Sequence, residues 1–157
     1  MNIPFKTGFS FGLASGVITT LGMIVGLSAG TNSREVVLGG VLTIALADSM
    51  SDALGVHLAQ ESQKVNTTVH IWTATFSTLI FKLLFALSFL IPLLIFRYPV
   101  SIAACIIWGL SILGVYSYFL AISRKEKPIP VILEHVGAGV LVVIATQLVG
   151  KWINLFF

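Results

Sequence analysis

Apolar positions along the chain fall into five long runs, at about 8–29, 36–59, 71–96, 99–121 and 129–150. Each matches the roughly 20 residues that a helix needs to cross the hydrocarbon of a bilayer. The breaks between them are short and polar. Thr31-Asn32-Ser33-Arg34-Glu35 is a turn ahead of a second helix starting at Val36, and Glu61 to His70 is a polar connector. Arg97-Tyr98-Pro99 and Arg124-Lys125-Glu126-Lys127-Pro128 each place a proline at a helix start, where its missing N–H costs nothing. Pro92, late in the third run, is expected to kink it. The pattern predicts an all-α integral membrane protein: five transmembrane helices forming a single domain over 1–157, with no segment long enough for a soluble domain.

Composition agrees. Of the 157 residues 57% are hydrophobic and 10% are charged, with a mean hydropathy of +1.02. Soluble domains carry about 25% charged residues, which cover their surface in water. This chain has too few, which excludes a soluble enzyme, a disordered chain and a nucleic-acid reader. A net charge of +3, spread thinly over loops, is no basic patch. No nucleophile–base pair, metal-hydrolase motif or cofactor motif stands in any loop, so neither an enzyme nor a resident cofactor is expected. Cys105 is the single cysteine and lies in an apolar run. Lys6 ahead of the first run resembles a signal peptide. The run is too long for an h-region, however, and Leu27-Ser28-Ala29 is a poor cleavage site, so it reads as a retained first span.

Lysines and arginines in the short loops set the expected direction. With the N-terminus inside, Lys6, Lys64, Arg124, Lys125 and Lys127 face the cytoplasm, and Arg34, Arg97 and Lys151 lie outside. The bias favours N-in, C-out, a multi-pass protein of the cell membrane in a prokaryote. The sequon Asn66-Thr67-Thr68 then faces the cytoplasm and reads as a chance match. Of Trp72, Trp108 and Trp152, two lie near span ends, where aromatic rings anchor at the interface.

Polar residues inside the runs carry the candidate chemistry. At about 100° per residue, Gly8, Gly12, Ser15, Gly16, Thr19, Gly22, Met23, Gly26 and Gly30 share one narrow face of the first helix. Small residues at this spacing let another helix approach closely. The face therefore reads as a packing seam, with Gly12, Gly16, Gly22 and Gly26 as helix-packing or dimer positions. Ser15, Thr19 and Met23 on the same face are candidates for lining a path.

The second run contains Asp48 and Asp52, one turn apart and on a face shared with Ser51, Gly55 and Ala59. A carboxylate at membrane depth costs a few kcal/mol, so two on one face point to cation binding, proton relay or a buried ion pair. Lys82, roughly 16 Å into the third span at 1.5 Å per residue, matches Asp48 in depth. Asp48–Lys82 is the expected pair, with Asp52 the freer carboxylate. Glu134 and His135 open the fifth span near the depth of Asp52 and Ser15. Oxygen and imidazole ligands from Asp52, Glu134 and His135 suit first-row divalent metals, and the same groups suit a purely protonic role. His57 and Glu61, also one turn apart, point away from the Asp48/Asp52 face and read as interfacial.

These residues resemble a known family. Ser15-Gly16-Val17-Ile18-Thr19-Thr20 through Gly26 is similar to the opening helix of the vacuolar iron transporter family, including its yeast calcium-cross-complementer branch. The stretch Ser51-Asp52-Ala53-Leu54-Gly55-Val56-His57-Leu58-Ala59-Gln60-Glu61-Ser62 resembles its second-helix signature. Phe89-Leu90-Ile91-Pro92-Leu93-Leu94 and Leu148-Val149-Gly150-Lys151 resemble its third and fifth helices. The resemblance implies a homodimer that exports Fe²⁺ or Mn²⁺ from the cytoplasm in exchange for protons, along a path beside the first helices.

Departures from the family pattern fall on its site. Ser15 stands where the family has a metal-binding aspartate, Asp52 where it has a methionine, and Ile44 where it has a glutamate. The family's cytoplasmic metal-binding domain is replaced by Ser62 to His70. On this reading the acidic charge has moved from the first helix to Asp48 and Asp52 on the second, and Glu134 and His135 form the cytoplasmic entrance. The competing expectation is a non-transporting scaffold or assembly protein, whose intramembrane Asp and Lys residues are structural ion pairs. Lipid is the expected surrounding in either case, with metal ions and protons as substrates in the first.

Overall fold

The computed structural model describes residues 2–156. The described residues form six helices: α1 (Ile3–Thr31), α2 (Arg34–Glu61), α3 (Thr68–Ser88), α4 (Leu90–Ile95), α5 (Val100–Arg124) and α6 (Pro128–Phe156). With α3 and α4 taken together as Thr68–Ile95, they make five helices long and apolar enough to cross a membrane. The chain is a multi-pass helical membrane protein.

The kink expected from Pro92 is a break between α3 and α4 at Phe89. Proline has no N–H for the carbonyl one turn back, and its ring crowds that carbonyl, so the helix is interrupted just before it. The short α4 that follows ends against Arg34, whose Nη2 donates to the carbonyls of Leu93 (2.6 Å) and Leu94 (3.3 Å). A cation on the free carbonyls at a helix C-terminus complements their partial negative charge. Side chains also cap the turns. Ser33 Oγ accepts from the Val36 N–H, Thr67 Oγ1 accepts from the His70 N–H, and both serve as N-caps. The C-terminus of α5 closes through Lys125, in left-handed conformation at φ 58°.

Side-chain size is distributed in the reverse of a soluble core. On α2 the buried positions are Val37, Val41, Ala45, Ser49 and Ala53, while Leu42, Leu46, Met50, Leu54 and Leu58 are exposed. On α5 the buried stripe is Ser101, Cys105, Gly109, Leu113, Ser117 and Ala121, again every fourth residue. Lipid tails are as apolar as leucine, so nothing drives large apolar side chains inward, and close packing selects small ones instead.

The chain divides into two compact units, residues 2–17 with Leu42–Ser88 and Ile18–Val41 with residues 89–156. In the first, the N-terminal half of α1 lies against α3. A Cβ on Gly12 would meet the Lys82 nitrogen at 2.8 Å and the Thr78 carbonyl oxygen at 2.9 Å, and one on Gly16 would meet the Lys82 carbonyl at 2.9 Å. Phe5 and Phe9 flank this contact edge-on to Phe81, at centroid distances of 5.4 and 4.7 Å. In the second unit, the C-terminal half of α1 lies against α6. Gly22 faces Val142, Gly26 faces Thr146, and a Cβ on Gly150 would meet Ala29 Cβ at 2.8 Å and the Gly30 nitrogen at 3.0 Å. α5 packs on α4 and α6.

Gly12→Ala is expected to destabilise the protein by about 1–3 kcal/mol, the usual cost of overpacking, because its methyl meets backbone atoms that cannot swing aside. Gly55 has nothing within 4 Å. There alanine should be neutral or stabilising by up to about 1 kcal/mol through helix propensity. Thermal unfolding of both variants in detergent measures the contrast, and equal effects would remove close helix approach as the explanation.

Candidate functional site

Within the first unit, three helices bring four polar side chains together. Asp48 and Asp52 come from α2, Lys82 from α3 and Ser15 from α1. Lys82 Nζ lies 2.5 Å from Asp48 Oδ2 and also pairs with Asp52 Oδ2. The Ser15 hydroxyl donates to the same Asp52 oxygen at 2.6 Å. Asp48 and Lys82 each stand near the middle of a 28-residue span, so the cluster lies at membrane depth.

The four-residue spacing on α2 places both carboxylates on one side, about 5–6 Å apart at Cβ. One ammonium on a flexible four-carbon stem can sit between them. The stem reaches the site because Gly12 and Gly16 admit α3 so close to α1. Lys82 is almost wholly buried, with 2% of its side chain exposed, against 28% for Asp48 and 23% for Asp52. The polar cluster is thus closed on the lysine side and part-open on the carboxylate side. Two carboxylates and one ammonium leave a surplus negative charge.

Two expectations need correction. The pairing is not Asp48–Lys82 with Asp52 free: Lys82 bridges both, and Asp52 is the more engaged because it also accepts from Ser15. Depth along the helix axis could not distinguish the two carboxylates, since the lysine stem spans the difference between them. Nor is the inward face of α2 the one that carries Ser51, Gly55 and Ala59, which are exposed. It is centred on Ser49, whose hydroxyl is fully buried without a hydrogen-bond partner among the described residues. Ser49 is the residue that the sequence reading missed. The every-fourth spacing from Val37 to Ala53 was the available signal.

Other expected residues lie elsewhere. Thr19 and Met23 belong to the second unit, where Met23 lies against Gly40. Glu134 is exposed, and the His135 Nδ1–H donates to the carbonyl of Val131 one turn back on its own helix (2.9 Å). Among the described residues, no group of three or more His, Cys, Asp and Glu could hold a metal ion. Asp52 belongs to the first unit and Glu134 and His135 to the second, so the expected ligand set of Asp52, Glu134 and His135 is not drawn from one unit. Gly12, Gly16, Gly22 and Gly26 are packing positions, used within the chain against α3 and α6. His57 Nδ1 lies 3.0 Å from Thr75 Oγ1, and its ring meets Trp72 edge-on, so it ties α2 to α3.

No family model matches the chain, and no curated protein matches it. What the cluster can do must be argued from its own chemistry. It offers two carboxylates and a hydroxyl as oxygen ligands, with a tethered ammonium among them. Any cation reaching these oxygens would have to compete with Lys82 for them.

Proposed function

We propose that this protein is a proton-coupled transporter of divalent metal ions, Fe²⁺ or Mn²⁺, exporting them from the cytoplasm along the interface of a homodimer. The observation that carries the reading is the surplus carboxylate: Asp48 and Asp52 share one ammonium and stay part-exposed at mid-membrane. A charge at that depth needs water or another protein surface beside it, and such residues ordinarily mark ion or proton pathways. Asp52 is the principal ligand or proton carrier, supported by Ser15 and Asp48. Lys82 holds the place of the cation until one arrives. Hard oxygen ligands of this kind suit Mn²⁺ and are compatible with Fe²⁺.

The test is flux into proteoliposomes for a panel of divalent ions under an imposed pH gradient. Uptake of Mn²⁺ or Fe²⁺ that collapses when the gradient is dissipated is the expected result. Absence of flux for every ion sinks the proposal. It would favour the second reading, a membrane scaffold or assembly protein, which also has an observation behind it: Lys82 lies within ion-pair distance of both carboxylates at once. That reading expects Asp48→Ala and Lys82→Ala each to destabilise the fold, and the double substitution to be better tolerated than either.

A further inference from the structure

In the second unit a cavity of about 430 Å³ opens between the C-terminal end of α1, the start of α5 and the last turns of α6. Its lining is divided by chemistry. Asn32, Tyr98, Gln147, Lys151 and Asn154 supply polar groups, whereas Ile102 and Ile106 form an apolar wall one turn in length. Among the described residues that line it there is no carboxylate side chain.

Several of the polar groups are held in place. The Tyr98 hydroxyl donates to Asn32 Oδ1 (3.0 Å) and lies 3.0 Å from Ser28 Oγ. Asn154 Nδ2 donates to the carbonyl of Gly30 (3.0 Å). With its oxygen engaged by Tyr98, Asn32 is left with amide N–H donors. Lys151 makes no ion pair among the described residues and brings a full positive charge. Pro99, the N-cap residue of α5, borders the same space, so the positive end of a 25-residue helix adds to it.

Position along the spans fixes the surroundings. Lys151 and Asn154 lie in the last two turns of α6, beside Trp152, and Tyr98 follows Arg97 in a turn. Basic and aromatic side chains at span ends mark headgroup level. The apolar wall runs from there toward the hydrocarbon.

We propose that this cavity binds the headgroup of an anionic phospholipid, its phosphate on Lys151 and the amide donors and an acyl chain along Ile102 and Ile106. Donors without carboxylates select an anion, and the adjoining apolar wall selects a lipid over a free phosphate. Neither feature depends on transport.

The purified full-length chain, titrated in detergent and followed by native mass spectrometry and thermal unfolding, tests this. Phosphatidylglycerol is expected to bind and raise the melting temperature, while phosphatidylcholine and glycerol phosphate are at least tenfold weaker. Lys151→Gln and Tyr98→Phe should each lower affinity for phosphatidylglycerol several-fold. Lys127→Gln, an exposed lysine in the α5–α6 turn, should leave it unchanged. Equal binding of phosphatidylcholine would overturn the selection for an anion. Equal binding of glycerol phosphate would overturn the lipid in favour of a free phosphate. Affinity unchanged in Lys151→Gln, or lowered as much in Lys127→Gln, would overturn the site.

Discussion

Lys82→Met is expected to destabilise the protein by about 3–5 kcal/mol, the range seen when one partner of a buried ion pair is removed. The substitution fits the volume. What it removes is the charge between Asp48 and Asp52, which leaves two carboxylates one helical turn apart at mid-membrane with no cation. The hydroxyl of Ser15 can bond Asp52 but cannot neutralise it. Adding Asp48→Asn and Asp52→Asn to Lys82→Met deletes all three charges together, and the triple variant should recover most of the loss. Thermal unfolding in detergent reads both. A stable single variant would mean that the bridge contributes little, and a triple variant no better than the single would mean that Lys82 acts through packing. The triple variant also separates fold from function, since as a folded protein without the carboxylates it should carry no cation flux.

Asp52→Asn is the complementary case, and its large effect is on transport. Asparagine keeps the size of the side chain and an oxygen that can accept from Ser15, and Lys82 keeps Asp48 as its partner. The cluster becomes neutral, so stability should stay within about 1 kcal/mol of the parent, near the net value of an ordinary hydrogen bond. The surplus negative charge is gone, and with it the reason for a cation to enter. Flux in proteoliposomes should fall to background. Asp48→Asn removes the same surplus charge and should likewise lose flux, while leaving the Asp52–Ser15–Lys82 contacts between the three helices intact. Full flux in Asp52→Asn would rule out Asp52 as ligand or proton carrier. Loss of flux together with loss of fold would assign it a structural role.

Legibility in the sequence differed sharply between fold and site. The five spans could be read because membrane insertion is decided locally, by about 20 consecutive apolar residues and the polar turns that separate them. The membership of the cluster was largely legible too. Asp48, Asp52 and Lys82 are conspicuous because charge is rare at that depth, and Ser15 stood at a matching level on the first helix. Their pairing was not legible. Nothing in the spacing of Asp48 and Asp52 says that one lysine serves both, and the link from Ser15 to Asp52 requires the azimuths of two helices. Glu134 and His135 show the same limit from the other side: nothing in their spacing says that Glu134 is exposed and that His135 spends its Nδ1–H on its own helix.

By itself, then, the sequence determined a multi-pass helical membrane protein, the positions of its turns, the break near Pro92 and a glycine-rich first helix with a charged centre on the next two. Only the tertiary structure decided how the helices are turned. It sent the first half of the glycine face to α3 and the second to α6, made Ser49 rather than Ser51 the centre of the inward stripe on α2, and hung Lys82 between two carboxylates. The physical reason lies in the solvent. In water an apolar stripe points a helix toward the core, but in lipid leucine is at home on the outside. A helix that is apolar all round therefore carries no record of its own azimuth, and close contacts between small residues and a few buried charges must supply it.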